Sequence, residues 1–271
     1  MNGNHTIRVP IPIGRKSVAY WALARPNQVV IFIHGFRGSA DGTWGRAADL
    51  ARRSPCLTSS DLIFFDYPCA RKQVPRLAAD VVELLDWLTA GDALQGGHAF
   101  LHQLRGGKTE YDRFLIVAHS LGAVVARRAL LDGVKASRSW IDKIHFILFA
   151  PAHLGARVKT LVDLTLGKIP FPVDALLKAY YPVLDELEPG STTLKLIYDE
   201  SVALYPALCS QVKARAVAMA DDEQVVDTNA FFQDPTAVPI KKTDHISVVK
   251  CRTLDADPYR KLESWLTPAR P

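Results

Sequence analysis

Short apolar runs recur along this chain, most of them followed by a stretch with helical periodicity, and that alternation constrains the fold more than any other feature. Val29-Val30-Ile31-Phe32-Ile33, Leu62-Ile63-Phe64-Phe65, Phe114-Leu115-Ile116-Val117 and Ile144-His145-Phe146-Ile147-Leu148-Phe149 are nearly continuous apolar segments of strand length, and Ala214 to Met219 is another. A strand that is apolar on both faces must be covered on both sides, as in a parallel sheet held between helices. Between the runs, positions 77, 81, 84, 85 and 88 carry apolar residues at helical spacing, Leu121 to Leu131 forms a further helix, and Pro258 to Leu266 reads as a closing one. The fold class is therefore α/β, with a mostly parallel central sheet of at least five strands flanked by helices. Ile7 to Ala24 holds two strand-like pieces around a turn at Gly14, an antiparallel start to the sheet.

The 271 residues suffice for one large α/β domain or two small ones. Because the alternation continues to the end, residues 1–271 read as a single domain, with an insertion at 155–195. There, Val158 to Val162 and Asp174 to Leu187 are amphipathic helices flanking the Pro170-Phe171-Pro172 break, and Pro182 is expected to kink the second. The segment reads as a helical cap, a candidate lid over a pocket, while an ordinary packing pair would show the same stripes. Leu177 and Tyr181 on its apolar face are candidate substrate contacts suited to acyl chains.

Charge and cysteine content exclude several functions. The net charge of +5 comes from 33 basic and 28 acidic residues, and the basic ones gather only into doublets such as Arg71-Lys72, Arg127-Arg128 and Lys241-Lys242. Nucleic-acid binding needs a basic stripe with interleaved aromatics, so no nucleic-acid partner is expected. The modest excess suits at most transient contact with an anionic membrane surface. No stretch has the roughly 18 uncharged apolar residues of a membrane span, and no apolar leader follows a basic start. Cys56, Cys69, Cys209 and Cys251 show no C-x-x-C pairing, which fits thiols in a reducing compartment. A cytoplasmic protein is the expectation.

His98 and His102 stand four apart, but Ala99 occupies the place where a zinc protease needs glutamate. Gly106-Gly107-Lys108-Thr109 imitates the end of a phosphate-binding loop, yet a strand follows it rather than a helix. Neither a metal nor an organic cofactor is implied. The sequence carries no signal of oligomeric state.

The strongest chemical signal is Leu115-Ile116-Val117-Ala118-His119-Ser120-Leu121-Gly122-Ala123-Val124-Val125, where a buried strand meets a helix with a serine at the junction. A serine hydroxyl becomes a competent nucleophile when a tight turn exposes it beside a base, and such a turn needs small neighbours two places to either side. Ala118 and Gly122 are those neighbours, Ala118 standing where glycine is usual. Upstream, Ile33-His34-Gly35-Phe36 puts a His-Gly turn at the end of an earlier strand. The backbone N–H groups of Phe36 and Leu121 are the expected oxyanion hole. Downstream, the order serine, acidic segment (Asp221-Asp222-Glu223), His245 matches that of hydrolases built on a nucleophile elbow.

On these residues the chain resembles an α/β-hydrolase, in the serine esterase and lipase branch that includes the glycosylphosphatidylinositol inositol-deacylase-like proteins. Gly38 to Trp44, Pro151 to Ala156, and Leu187 to Ser191 with Leu194 are similar to recurring segments of that branch, and the matching pieces run from Val29 to Lys250. The resemblance implies an acid in a G-x-x-D-x-V-V pattern. Laid on Ala220 to Val226, the pattern puts Glu223 in the aspartate's place, with Asp222 the alternative. It implies hydrolysis of a carboxylic ester, small-molecule or lipid-like, through an acyl-enzyme. Thioester hydrolysis and acyl transfer would use the same machinery, and a non-catalytic binding protein could keep the scaffold. His119 and His153 are candidate substrate contacts; His34 is expected to shape the oxyanion turn and Asp66 to cap the turn before Pro68.

Overall fold

The computed structural model describes residues 8–23, 25–54, 57, 60–69, 71–90, 103, 105, 110–167 and 179–266. His98, His102, Leu177, the Pro170-Phe171-Pro172 break and the Gly106 to Thr109 segment lie outside them.

The chain opens with β1 (Val9–Pro10) and β2 (Val18–Tyr20), paired antiparallel as the Gly14 turn predicts. It continues through β3 (Gln28–Ile33), α1 (Ala47–Ala51), β4 (Ser60–Phe65), α2 (Val74–Thr89), β5 (Arg113–His119), α3 (Leu121–Lys135) and β6 (Ile144–Phe149). After α4 (Val158–Leu166), α5 (Val183–Glu186) and α6 (Thr192–Val212) come β7 (Ala216–Asp222), β8 (Val238–Asp244) and α7 (Asp257–Leu266). The strands form one eight-stranded sheet of order β1-β2-β4-β3-β5-β6-β7-β8, in which β3 to β8 run parallel. Every residue of β3 and β4 is buried, so the continuous apolar runs do mark strands covered on both faces. On one face α2 packs against α3. On the other α1 meets α7, and Trp44 and Trp265 pack on Phe32 and Phe149.

Three elements lie beyond the sequence reading, the short α1 among them. β8 has no apolar run because it is an edge strand: only Ile240 is buried, while Lys241 and Lys242 face solvent. α6 begins inside the expected insertion, where the Ser191 hydroxyl accepts from the Leu194 N–H. Its weak apolar stripe hides a helix that is mostly exposed. Pro182 does not kink a helix. It stands at the N-terminal cap of the short α5, where a missing N–H costs nothing. Among the described residues no helix is long and apolar enough to cross a membrane.

At the amino-terminal end of the sheet, Asp61 is fully buried and accepts from the Arg105 guanidinium (2.7 and 3.0 Å), the Tyr111 hydroxyl (2.6 Å) and the Ala22 N–H (2.7 Å). That polar knot ties the segment after β2 to the parallel sheet.

Candidate active site

The chemistry-bearing residues collect at the carboxyl ends of β3, β5, β7 and β8, the edge of an open parallel sheet where loops converge on a crevice. Ser120 joins β5 to α3 with φ 52° and ψ −121°, a conformation unfavourable for a residue with a Cβ. The surrounding structure holds it there. Its N–H donates to the Phe149 carbonyl (3.0 Å) and its carbonyl accepts from the Ala152 N–H (3.3 Å). The small neighbours are required by close approach: a Cβ on Gly122 would lie 2.4 Å from the His34 carbonyl oxygen, and one on Gly35 would lie 2.9 Å from the Ser120 Cβ. Ala118 is tolerated because it sits inside the strand, in register with Ile33 and Leu148, rather than at the crossing point.

His245 follows β8 and is almost wholly buried. Its Nε2 is 3.0 Å from Ser120 Oγ, and its Nδ1 is 3.0 and 3.1 Å from the two carboxylate oxygens of Glu223. An ionised carboxylate only accepts, so Nδ1 carries the proton and Nε2 offers its lone pair to the serine hydroxyl. Glu223 is itself oriented, because Oε1 also accepts from the N–H groups of Val225 (2.8 Å) and Val226 (3.1 Å). Asp222, the alternative acid, is solvent-exposed and accepts from the Gln224 side chain at 2.8 Å. Asp244 folds the turn that presents His245, taking the Ile246 and Ser247 N–H groups at 3.0 and 2.7 Å. Burial pushes the Asp244 carboxyl up, but the hydrogen bonds from Ser247 and Ile246 outweigh that and hold it below the ordinary range.

The turn after β3 is braced from below. His34 Nε2 lies 3.0 Å from Asp66 Oδ1, the Tyr67 hydroxyl donates to the His34 carbonyl, and the Tyr67 ring stacks on the imidazole. The Asp66 side chain thus binds His34 rather than capping the Pro68 turn. Among the described residues the Phe36 N–H has no acceptor, and Leu121 opens α3, where N–H groups have no intrahelical partner. Beside this turn lies a cavity of about 320 Å³ whose wall includes Gly35, Phe36, His119, Leu164 and Ile246.

The sequence profile of the alpha/beta hydrolase family matches residues 30–269. The chain belongs to this family. No curated protein matches it in sequence. In fold this alpha/beta hydrolase is similar to the mature lipase BlEst2 of Bacillus licheniformis, at 14% identity over 97% of this chain and 96% of that one, TM-score 0.55. It is also similar to carboxyl esterase 2 of the fungus Tuber melanosporum, at 11% identity over 98% of this chain and 85% of that one, TM-score 0.56. A third likeness is to the phospholipase PlaB of Legionella pneumophila, at 17% identity over 89% of this chain and 59% of that one, TM-score 0.57.

The other sequence candidates fall at different places in the hydrolase. His119 is buried beside His245: its Nε2 donates to the His245 carbonyl (2.9 Å), its ring lies 5.0 Å from that of His245, and it lines the cavity. Burial, then the neighbouring His245, push its imidazole well below the ordinary value, so it is neutral. Tyr181 packs edge-on against Phe36 and its hydroxyl accepts from Arg37 at 2.6 Å, so it buttresses the turn after β3. His153 does not line the cavity. It is buried beneath α3, donating from Nε2 to the Ala123 carbonyl (3.0 Å) and stacking near Phe231. Burial and then Arg127 keep it neutral as well. Sequence reasoning passed over Arg37 and Lys250, which also line the cavity; their position directly after Phe36 and shortly after His245 was the available signal.

Proposed function

We propose that this alpha/beta hydrolase is a serine esterase that cleaves carboxylic esters through Ser120, His245 and Glu223. The unbroken hydrogen-bonded chain from Ser120 Oγ through the imidazole to Glu223 carries the reading. In the first half-reaction Ser120 Oγ attacks the acyl carbon while His245 Nε2 takes its proton, and Glu223 stabilises the resulting imidazolium. The negative oxygen rests on the Phe36 and Leu121 N–H groups, where losing one donor costs about 10²- to 10³-fold in turnover. His245 then returns the proton to the leaving alcohol. Water, activated by the same imidazole, releases the acid and regenerates the serine.

A lipid-like acyl ester is the substrate class favoured here. The lipase and phospholipase names among the fold's neighbours support it, as do the segments resembling inositol-deacylase-like proteins. The free thiols of Cys69, Cys209 and Cys251 support action in a reducing compartment such as the cytoplasm.

The test is labelling with a fluorophosphonate probe, run beside hydrolysis of nitrophenyl esters from acetate to palmitate. Folded wild type should label and turn over ester, and Ser120→Ala should do neither. Folded wild type that neither labels nor hydrolyses any ester would overturn the esterase reading and point to a binding role. Activity confined to acetate would remove the lipid preference.

A further inference from the structure

We infer that the cavity beside the oxyanion turn selects esters carrying a negatively charged group, a carboxylate or a phosphate, through Arg37 and Lys250. This rests on the esterase reading above and names the substrate class of that same site.

Two cations, Arg37 and Lys250, line the cavity, and among the described residues no carboxylate does. Neither is in an ion pair among the described residues, and the acids Asp41, Asp66 and Asp244 are engaged elsewhere. Asp41 pairs with Arg8 at 2.8 Å, Asp66 with His34, and Asp244 with its own turn. Both cations retain donor capacity. Lys250 Nζ gives one N–H to the Gly42 carbonyl (2.6 Å) and Arg37 Nη1 one to the Tyr181 hydroxyl (2.6 Å), leaving the others unassigned.

The loop between the cations adds neutral donors. Ser39 Oγ accepts from the Gly42 N–H (2.9 Å) and Thr43 Oγ1 accepts from the Ser39 N–H (3.1 Å), so each hydroxyl proton is free to point into the cavity that both residues line. The charge also sits close to the chemistry: Arg37 directly follows Phe36, and Lys250 is near enough for its charge to bear on the His119 imidazole. A cleft lined by one sign of charge with apolar walls, here Phe36, Leu164 and Ile246, concentrates ligands of the opposite sign. A neutral acyl chain would use none of these donors.

Matched ester pairs test the inference at concentrations where all remain monomeric. One arm places the anion on the acyl side, comparing 4-nitrophenyl hydrogen succinate with its methyl ester. The other places it on the alcohol side, comparing butyryl glycerol 3-phosphate with monobutyrin. In at least one arm kcat/KM should favour the anion by about tenfold, as expected for hydrogen bonds to a charged group. The arm that shows it says which half of the ester occupies the cavity. In Arg37→Met/Lys250→Met the ratio should fall toward unity, mainly through KM, and Arg37→Lys should restore part of it. Fluorophosphonate labelling of each variant shows that Ser120 is still activated, so a lost preference is not a lost fold. A ratio near one in both arms of an active wild type, or a preference that survives the double substitution, overturns the inference and leaves the esterase reading intact. Absence of both labelling and hydrolysis overturns the two together.

Discussion

Both carboxylate oxygens of Glu223 lie within hydrogen-bonding distance of His245 Nδ1, at 3.0 and 3.1 Å, although a glutamate stands where the familiar pattern has aspartate. The extra methylene is taken up by a turn in which Glu223 also accepts two N–H groups of its own loop. Glu223→Gln would let an amide face Nδ1 and disfavour the tautomer that leaves Nε2 free. The expected loss in kcat is about 10³- to 10⁴-fold. Asp222→Asn, on an exposed side chain hydrogen-bonded to Gln224, should change little. Steady-state rates on a nitrophenyl ester decide it, and a reversed ranking would refute the assignment.

What the sequence made legible was whatever repeats with a period or sits at a fixed offset. Fully buried strands such as β3 and β4 write themselves as unbroken apolar runs, and the elbow around Ser120 is a five-residue pattern of small neighbours, although the contacts that require Gly122 to be small come from the distant end of β3. β8 was illegible because an edge strand buries one residue in seven and carries lysines that also suit a loop. His153 was misplaced because chain position near a strand end does not say on which side of the following helix a side chain falls. Here it lies beneath α3 on the Ala123 carbonyl. The brace of Asp66 and Tyr67 on His34 joins residues about thirty positions apart, and no local pattern announces such a pair.

At Gly122 the start of α3 passes close against the end of β3. A Cβ there would come within 2.4 and 2.5 Å of the His34 and Ile33 carbonyl oxygens, and backbone atoms cannot rotate aside. Gly122→Ala should therefore push the helix off the strand, costing about 1–3 kcal/mol by overpacking despite alanine's better helix propensity. The same shift moves Leu121 away from Phe36, so activity should fall further than stability accounts for. Urea denaturation together with turnover of the folded fraction separates the two. A variant as stable and as active as wild type would mean that the elbow is looser than its geometry.

His119 and His153 stay neutral in the folded protein because burial, with His245 beside the first and Arg127 beside the second, lowers their imidazoles well below the ordinary value. In the unfolded chain each binds a proton below about pH 6.5. The unfolded state then holds more protons, so their contribution is full above that value and is lost as pH falls below it. The slope is about 1.4 kcal/mol per pH unit for each histidine. Asp221 and Asp244, held low by hydrogen bonds, add their own loss only nearer pH 4. Urea midpoints should hold from pH 7.5 to about 6.5 and fall steadily from there to pH 5, and His153→Gln should flatten that fall by about one histidine's share. Superimposable curves would show that His153 does not titrate differently in the two states.

Asp61 is the acceptor on which Ala22, Arg105 and Tyr111 converge, and it lies at the end of the sheet opposite Ser120, level with Val29 of β3. The pair with Arg105 is fully buried on both sides, so removing one partner leaves a charge without solvent or counter-ion. Asp61→Ala should cost about 3–5 kcal/mol, the usual penalty for breaking a buried pair. Replacing the pair together, as Asp61→Leu/Arg105→Met, should recover part of that loss because no charge is stranded. Recovery is incomplete for a specific reason. The Tyr111 hydroxyl, whose ionisation burial and then the Asp61 charge push far above its ordinary range, loses its acceptor, and so does the Ala22 N–H. Adding Tyr111→Phe to the double variant should therefore raise stability again by about 1 kcal/mol or more, where in wild type the same change is destabilising. Chemical denaturation of the series reads the reversal of sign directly. Tyr111→Phe destabilising in both backgrounds would mean that the hydroxyl's value does not come from Asp61.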